Sequence, residues 1–218
     1  MKTSNSASNI LKNVRPNANV LEFGAGNGYM TQYLKETLHC FTFAVEINEE
    51  NLSELDKYSD GFMIGETDGD IEKYHWVGCG TWDHILFADV LEHLRDPYTV
   101  LKKAATQLND NGTILISIPN VSHNSIIVDL INNNFEYREL GLLDNTHIRF
   151  FTRKSLLKMV DDAGLFVSKE MNTRCRMQDT EFKNSLNDVP VGVADYLKMR
   201  QDGNIYQFVW ELKLKESV

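Results

Sequence analysis

The sequence predicts an α/β protein built on a mostly parallel sheet, and three observations carry that reading. Short apolar runs alternate with amphipathic helical stretches through the first two thirds of the chain. A glycine-rich turn directly follows the first apolar run. Two more apolar runs come late, "LFVSKEM" and "IYQFVWELKL", with a long polar connection between them, which suggests an antiparallel pair at one edge of the sheet.

Taken in order, residues 1–17 form a helical or flexible lead-in, and strands are expected at 19–23, 41–46, 62–64, 83–88 and 112–118. Helices are expected at 29–38, 49–57 and 98–108. Asp96-Pro97 supplies a cap and a first-turn proline for the last of these, and Asn111-Gly112 supplies the turn that follows it. Residues 120–150 are less periodic and read as an insertion or substrate loop. Thr152 caps a helix at 153–163 that stops at Gly164, and 176–204 connects the last two strands.

At 218 residues the chain fits one domain, 1–218, with modest additions. Its 31 acidic against 22 basic residues give a net charge of -9, which opposes attraction to phosphate backbones and disfavours a nucleic-acid substrate. The first ten residues lack the apolar core of a secretory signal, and no run is long and apolar enough to span a membrane. Cys40, Cys79 and Cys175 are odd in number and widely spaced, as expected of reduced thiols in the cytoplasm. No feature points to a particular oligomeric state.

The strongest local signal is "VLEFGAGNGYM", where a strand runs into Gly24, Gly26 and Gly28 ahead of a helix. Glycines permit a tight turn and a close ligand approach. A dinucleotide fingerprint would put its third glycine at position 29, which is Tyr29. Glu46 ends the second strand, where an acidic side chain can accept from the ribose hydroxyls of an adenosyl cofactor. Asp70, in "DGDIEKY", is a candidate acceptor for an adenine amino group, with Asp68 and Glu72 as competitors.

The run from "VLEFGAGNG" through "WDHILFADVLEHLRDP" to "LNDNGTILISIPN" resembles bacterial class I S-adenosylmethionine-dependent methyltransferases of the type that includes the ubiquinone-biosynthesis O-methyltransferases. The segments "GLLDNTHIRFFTRKSL", "IPNVSH" and "IYQFVW" look more like a subgroup associated with surface-polysaccharide and glycan assembly. The resemblance implies a Rossmann-like seven-stranded sheet with helices on both faces and an antiparallel last strand. It also implies S-adenosylmethionine as cofactor, with Glu22, Gly24, Ala25, Gly26 and Gly28 around its methionine portion. Glu46 and Ile47 would meet the ribose, Asp70 and Ile71 the adenine, and Ala88 and Asp89 the fourth strand end. "LNDNG" departs from the proline-glycine turn usual at that place in the family.

An acceptor hydroxyl must lose its proton during methyl transfer, to a base or with help from a metal. "DVLEH" puts Asp89, Glu92 and His93 just beyond the fourth strand end. Some small-RNA 2′-O-methyltransferases and ubiquinone-pathway enzymes carry a similar motif together with a later histidine, a set associated with a divalent metal; the later histidine here would be His147. Three readings stand: Glu92 and His93 cap a short helix, or His147 or His123 acts as base, or Asp89, Glu92, His93 and His147 hold a divalent metal. Arg149, Arg153 and Lys154 form a basic cluster that suits a phosphate-bearing acceptor such as a nucleotide sugar. The expected activity is O-methylation of a small molecule or glycan precursor. The rivals are an NAD-dependent oxidoreductase and a non-catalytic binding module on the methyltransferase fold.

Overall fold

The computed structural model describes residues 5–215; the outermost residues of the expected 1–218 domain, 1–4 and 216–218, lie outside the described residues. Helix α1 (Ser6–Leu11) leads into β1 (Asn19–Phe23), α2 (Tyr29–Glu36), β2 (Phe41–Glu46), α3 (Leu52–Tyr58), β3 (Gly61–Ile64) and the single turn α4 (Gly65–Asp68). Then come β4 (Trp82–Ala88), α5 (Pro97–Ala105), β5 (Leu108–Pro119), α6 (Asn124–Ile131), α7 (Arg153–Asp162), β6 (Leu165–Glu170), β7 (Thr173–Arg174), α8 (Val191–Met199) and β8 (Ile205–Leu214).

The strands pair in the order β3-β2-β1-β4-β5-β8-β6, with β7 also on β8. The first five are mutually parallel, and β8 runs antiparallel to both neighbours. The expected seven rows are present. The eighth strand, β7, is a two-residue continuation on the β6 side of β8, beyond a break at Met171-Asn172. Four of the five β1 residues are buried, as in a strand covered on both faces, and Phe23 stacks on Phe87 at 4.6 Å between centroids.

Register brings the functional ends together. Phe23 lies opposite Val45 and Phe87, and Ala88 opposite Ser117, so the turns after β1, β2 and β4 open at one edge. That is the carboxyl edge where ligands bind in open α/β sheets.

The helix caps act as their residue types suggest. Asp96 accepts from the Thr99 amide at 3.1 Å, and Thr152 and Ser155 form a reciprocal capping pair. Three stretches differ from expectation. Asn111-Gly112 does not precede β5 but sits inside it: Asn111 takes φ 63° where the pairing with β4 slips between Trp82 and His84. The aperiodic stretch 120–150 opens with α6, a two-turn helix over "NSIIVDLI" that is too short to show a clear period and is capped by His123 in place of the usual Ser, Thr, Asp or Asn. The polar connection 176–204 contains α8, which buries Ala194 and Leu197 in a small cluster with Val128, Met177 and Val189. Among the described residues no helix is long and apolar enough to cross a membrane.

Candidate active site

A cleft of about 650 Å³ opens at the carboxyl edge of the sheet, a size ordinary for small-molecule and cofactor sites. Gly24, Glu46, Ile47, Asp70, Ile71 and Asp89 line it, which brings together six residues drawn from four turns. Glu22, Ala25, Gly26, Gly28 and Ala88 are not part of that wall.

The glycine loop is fixed from behind. Gly24, Gly26 and Gly28 take φ 63°, 54° and 72°, backbone that side chains rarely adopt. The Gly24 amide donates to the Val45 carbonyl at 2.8 Å, and a Cβ on Gly24 would come within 2.7 Å of Val90 Cγ2. The loop is thus pressed against the segment that follows β4. The Gly28 amide donates to the Ala25 carbonyl at 3.0 Å, closing the turn.

Glu46 is buried, and its two oxygens accept from the Gly26 amide at 2.7 Å and the Asn48 amide at 2.8 Å. Each oxygen retains acceptor capacity. Gly69 sits so close behind it that an added Cβ would lie 1.9 Å from the Glu46 carbonyl oxygen. Asp70 caps the turn Ile71–Lys73 by accepting from the Glu72 amide at 3.0 Å. Its competitors have other partners: Asp68 faces His75, and Glu72 accepts from the Arg95 and Asp96 amides at 3.1 and 2.7 Å. Glu22 lies beneath the loop, accepts from the Thr31 hydroxyl at 2.7 Å, and is pushed up to about 7 mainly by burial.

At the other end of the cleft the residues Leu91–His93 form a single tight turn. The segment after Asp144 docks on it, with the Ile148 and Arg149 amides donating to the Glu92 carbonyl at 3.0 and 2.9 Å. This brings His147 to Glu92 and His93: ligand atoms of the three lie within 4.8 Å of one another, and the two imidazole rings meet edge to face at 4.9 Å. His93 also lines the cleft.

Glu92 is 1% exposed, and neither of its carboxylate oxygens has a hydrogen-bond partner. Burial first, then the Asp89 charge, pushes its carboxyl well above the usual range. Burial and the neighbouring His93 push His147 down. His147 Nε2 approaches Glu92 Oε1 to 4.0 Å, beyond hydrogen-bond distance. A buried carboxyl with both oxygens unpaired, facing two imidazoles, is a donor set that fits a divalent cation.

The family model described as a methyltransferase domain matches residues 5–170, more than half of the chain. The chain belongs to that family. It is 22% identical over 148 residues to the ubiquinone biosynthesis O-methyltransferase of Vibrio campbellii, covering 67% of this chain and 63% of that relative's length. Among solved structures it is similar to the magnesium protoporphyrin IX methyltransferase of Synechocystis PCC 6803 with bound S-adenosylhomocysteine (TM-score 0.62, 14% identity, 96% of this chain and 80% of that one). It is also similar to an S-adenosylmethionine-dependent methyltransferase from Archaeoglobus fulgidus (TM-score 0.61, 19% identity, 94% and 88%). Family and fold together make it a methyltransferase-domain protein on a Rossmann-like fold, which displaces the nicotinamide alternative.

Three site expectations for this methyltransferase need correction. Asp89 does not join Glu92, His93 and His147 as a fourth ligand. Its Oδ1 already accepts from Ser117 Oγ at 2.7 Å and Gln207 Nε2 at 2.8 Å, and its backbone takes φ 55°. His123 is no free base: it is fully buried as the cap of α6, with Nδ1 accepting from the Ser125 amide at 3.2 Å and Nε2 against the Cys175 carbonyl at 3.0 Å. The basic cluster is mostly committed to structure. Arg153 pairs with Glu170 and, at 2.8 Å, with Asp202, and Arg149 donates to the Arg95 carbonyl.

Ser117, Gln207, Val90 and Gly69 all shape the site and are not among the residues that the sequence singles out. Only Gly69 had a usable signal, as a glycine between a strand end and the acidic Asp70.

Proposed function

We propose that this methyltransferase moves the methyl group of S-adenosylmethionine onto a hydroxyl oxygen of a small molecule or glycan precursor in the cytoplasm, with Glu92, His93 and His147 on the acceptor side. The observation that carries this reading is the buried, unpaired Glu92 carboxyl beside two imidazoles at the end of the cleft. Leaving such a group without a partner costs on the order of 1–3 kcal/mol, a cost typical of sites kept for function.

The donor fits the opposite end. Glu46 has spare acceptor capacity for ribose hydroxyls, Asp70 stands where adenine would lie, and the left-handed glycine loop leaves room for the methionine portion. The donor's sulfonium supplies an electrophilic methyl, and transfer is an in-line displacement that depends on alignment. Asp89, tied by Ser117 and Gln207, fixes the floor between donor and acceptor.

On the acceptor side His147, held neutral at ordinary pH by burial, is able to take the hydroxyl proton. If a divalent cation occupies the group, Glu92, His93 and His147 would hold it, and its charge would ease the same proton loss. Beyond His147 the Phe150 ring lies at 6.3 Å, with Phe135 at 6.2 Å and Tyr137 at 6.4 Å from Phe150. These rings supply a wall for a flat acceptor, sugar or aromatic. The commitment of Arg153 to Glu170 and Asp202 removes support for a phosphate grip, so a sugar or phenol without phosphate fits better than a nucleotide sugar.

The test is methyl transfer from labelled S-adenosylmethionine to a panel of phenols, sugars and nucleotide sugars, with and without chelator. Transfer to hydroxyl acceptors supports the proposal, and chelator sensitivity adds the metal. Binding of cofactor with no transfer to any member would favour the non-catalytic module.

A further inference from the structure

The chain before His147 is held on an anchor of its own, apart from the Glu92 carbonyl. Residues 138–145 form a hairpin closed by the Arg138 amide on the Leu143 carbonyl at 2.9 Å and the Asn145 amide on the Arg138 carbonyl at 2.8 Å. Its inner corner, Leu142 and Leu143, is buried against Ile126. There the Leu142 amide donates to Glu181 Oε1 at 2.6 Å, while the Tyr206 hydroxyl, carried on strand β8, donates to Glu181 Oε2 at 2.9 Å. Gly141 takes φ 103°, and a Cβ on it would lie 2.2 Å from Glu181 Oε1, so the hairpin approaches this carboxylate as closely as a backbone can. The neighbouring Phe182 ring lies 4.9 Å beneath the Arg138 guanidinium.

We propose that Glu181 is a positioning residue for the acceptor side of the site: bridging Tyr206 of the sheet to Leu142 of the hairpin, it sets where His147 meets Glu92 and His93. The span that carries His147 has three anchors, the Glu181 carboxylate at Leu142, His93 Nδ1 against the Thr146 carbonyl at 3.2 Å, and the Glu92 carbonyl at Ile148 and Arg149. Loss of the first leaves the Leu142 amide buried without a partner and lets the hairpin shift, and His147 moves with it. Gln at 181 keeps an oxygen for the Leu142 amide and an amide group for the Tyr206 hydroxyl, so it preserves the bridge. The functional meaning of this placement rests on His147 acting on the acceptor side.

The test compares wild type, Glu181→Ala, Glu181→Gln and Tyr206→Phe by amide hydrogen exchange, by the ring-to-ring nuclear Overhauser contact of His93 and His147, and by calorimetric titration with S-adenosylhomocysteine. In Glu181→Ala the Leu142, Ile148 and Arg149 amides should exchange about tenfold faster, as loss of one buried hydrogen bond implies. The His93–His147 contact should vanish, while cofactor affinity and β1 and β4 protection stay at wild-type levels. Glu181→Gln should restore both signals, and Tyr206→Phe should fall between. An unchanged ring contact in Glu181→Ala, or a loss in Glu181→Gln equal to that in Glu181→Ala, overturns the proposal. Should Glu181→Ala not fold, Tyr206→Phe with wild-type exchange and ring contact overturns it. Failure of wild type to bind S-adenosylhomocysteine would count against the methyltransferase reading and leave the bridge untouched.

Discussion

The two ends of the cleft treat a buried carboxylate in opposite ways. Glu46 is 6% exposed and receives two backbone amides, whereas Glu92 is 1% exposed and receives none. The first is a preorganised acceptor whose geometry is complete before any ligand arrives. The second lies unpaired in a site that a proton or a cation would complete. On the proposed function this difference assigns affinity to the donor end and chemistry to the acceptor end, so variants should separate the two.

The largest separation should come from Gly26→Arg. A side chain at φ 54° strains the loop and displaces the amide that Glu46 accepts from, so titration should show S-adenosylhomocysteine binding lost in a folded protein. His147→Ala should do the reverse. Turnover on any acceptor used by wild type should drop by roughly 10²-fold or more, the usual worth of a positioned acid–base group, with cofactor affinity unchanged.

Glu22 breaks the symmetry from beneath the donor end. Its ordinary value of 4.5 is raised to about 7 in the fold. The folded state therefore keeps a proton that the unfolded chain has released, and stability falls as pH rises from about 4.5 to about 7, then levels off. Denaturation across that window should reveal a loss of roughly 3 kcal/mol, and Glu22→Gln should flatten the slope. The smallest effect is expected from Glu46→Gln, which keeps one acceptor oxygen. Cofactor affinity should weaken by about tenfold, the worth of one hydrogen bond to a charged group.

The same contrast explains what the sequence made legible. The donor end is written locally: three glycines at alternate positions and an acid at the end of the next strand each act within one turn of the fold. Glu92 and His93 are readable for the same reason, and His147 by resemblance. The supports of the acceptor end are not local. Ser117, Gln207, Glu181 and Tyr206 reach the site from distant parts of the chain, by hydrogen bonds that leave no pattern in the sequence. His123 and Arg153 looked available because a motif shows residue type and not partners, and both are occupied once the chain folds. Helices α6 and α8 are hard to read because both are short and open on His123 and Pro190, neither a usual capping residue.

The division between a donor end and a chemical end is tested most directly by calorimetric titration of S-adenosylhomocysteine into wild type, Gly26→Arg and His147→Ala. Binding in the micromolar range by wild type and His147→Ala, with none by Gly26→Arg, is the predicted result. Absence of binding to folded wild type, or equal loss in both variants, would contradict it.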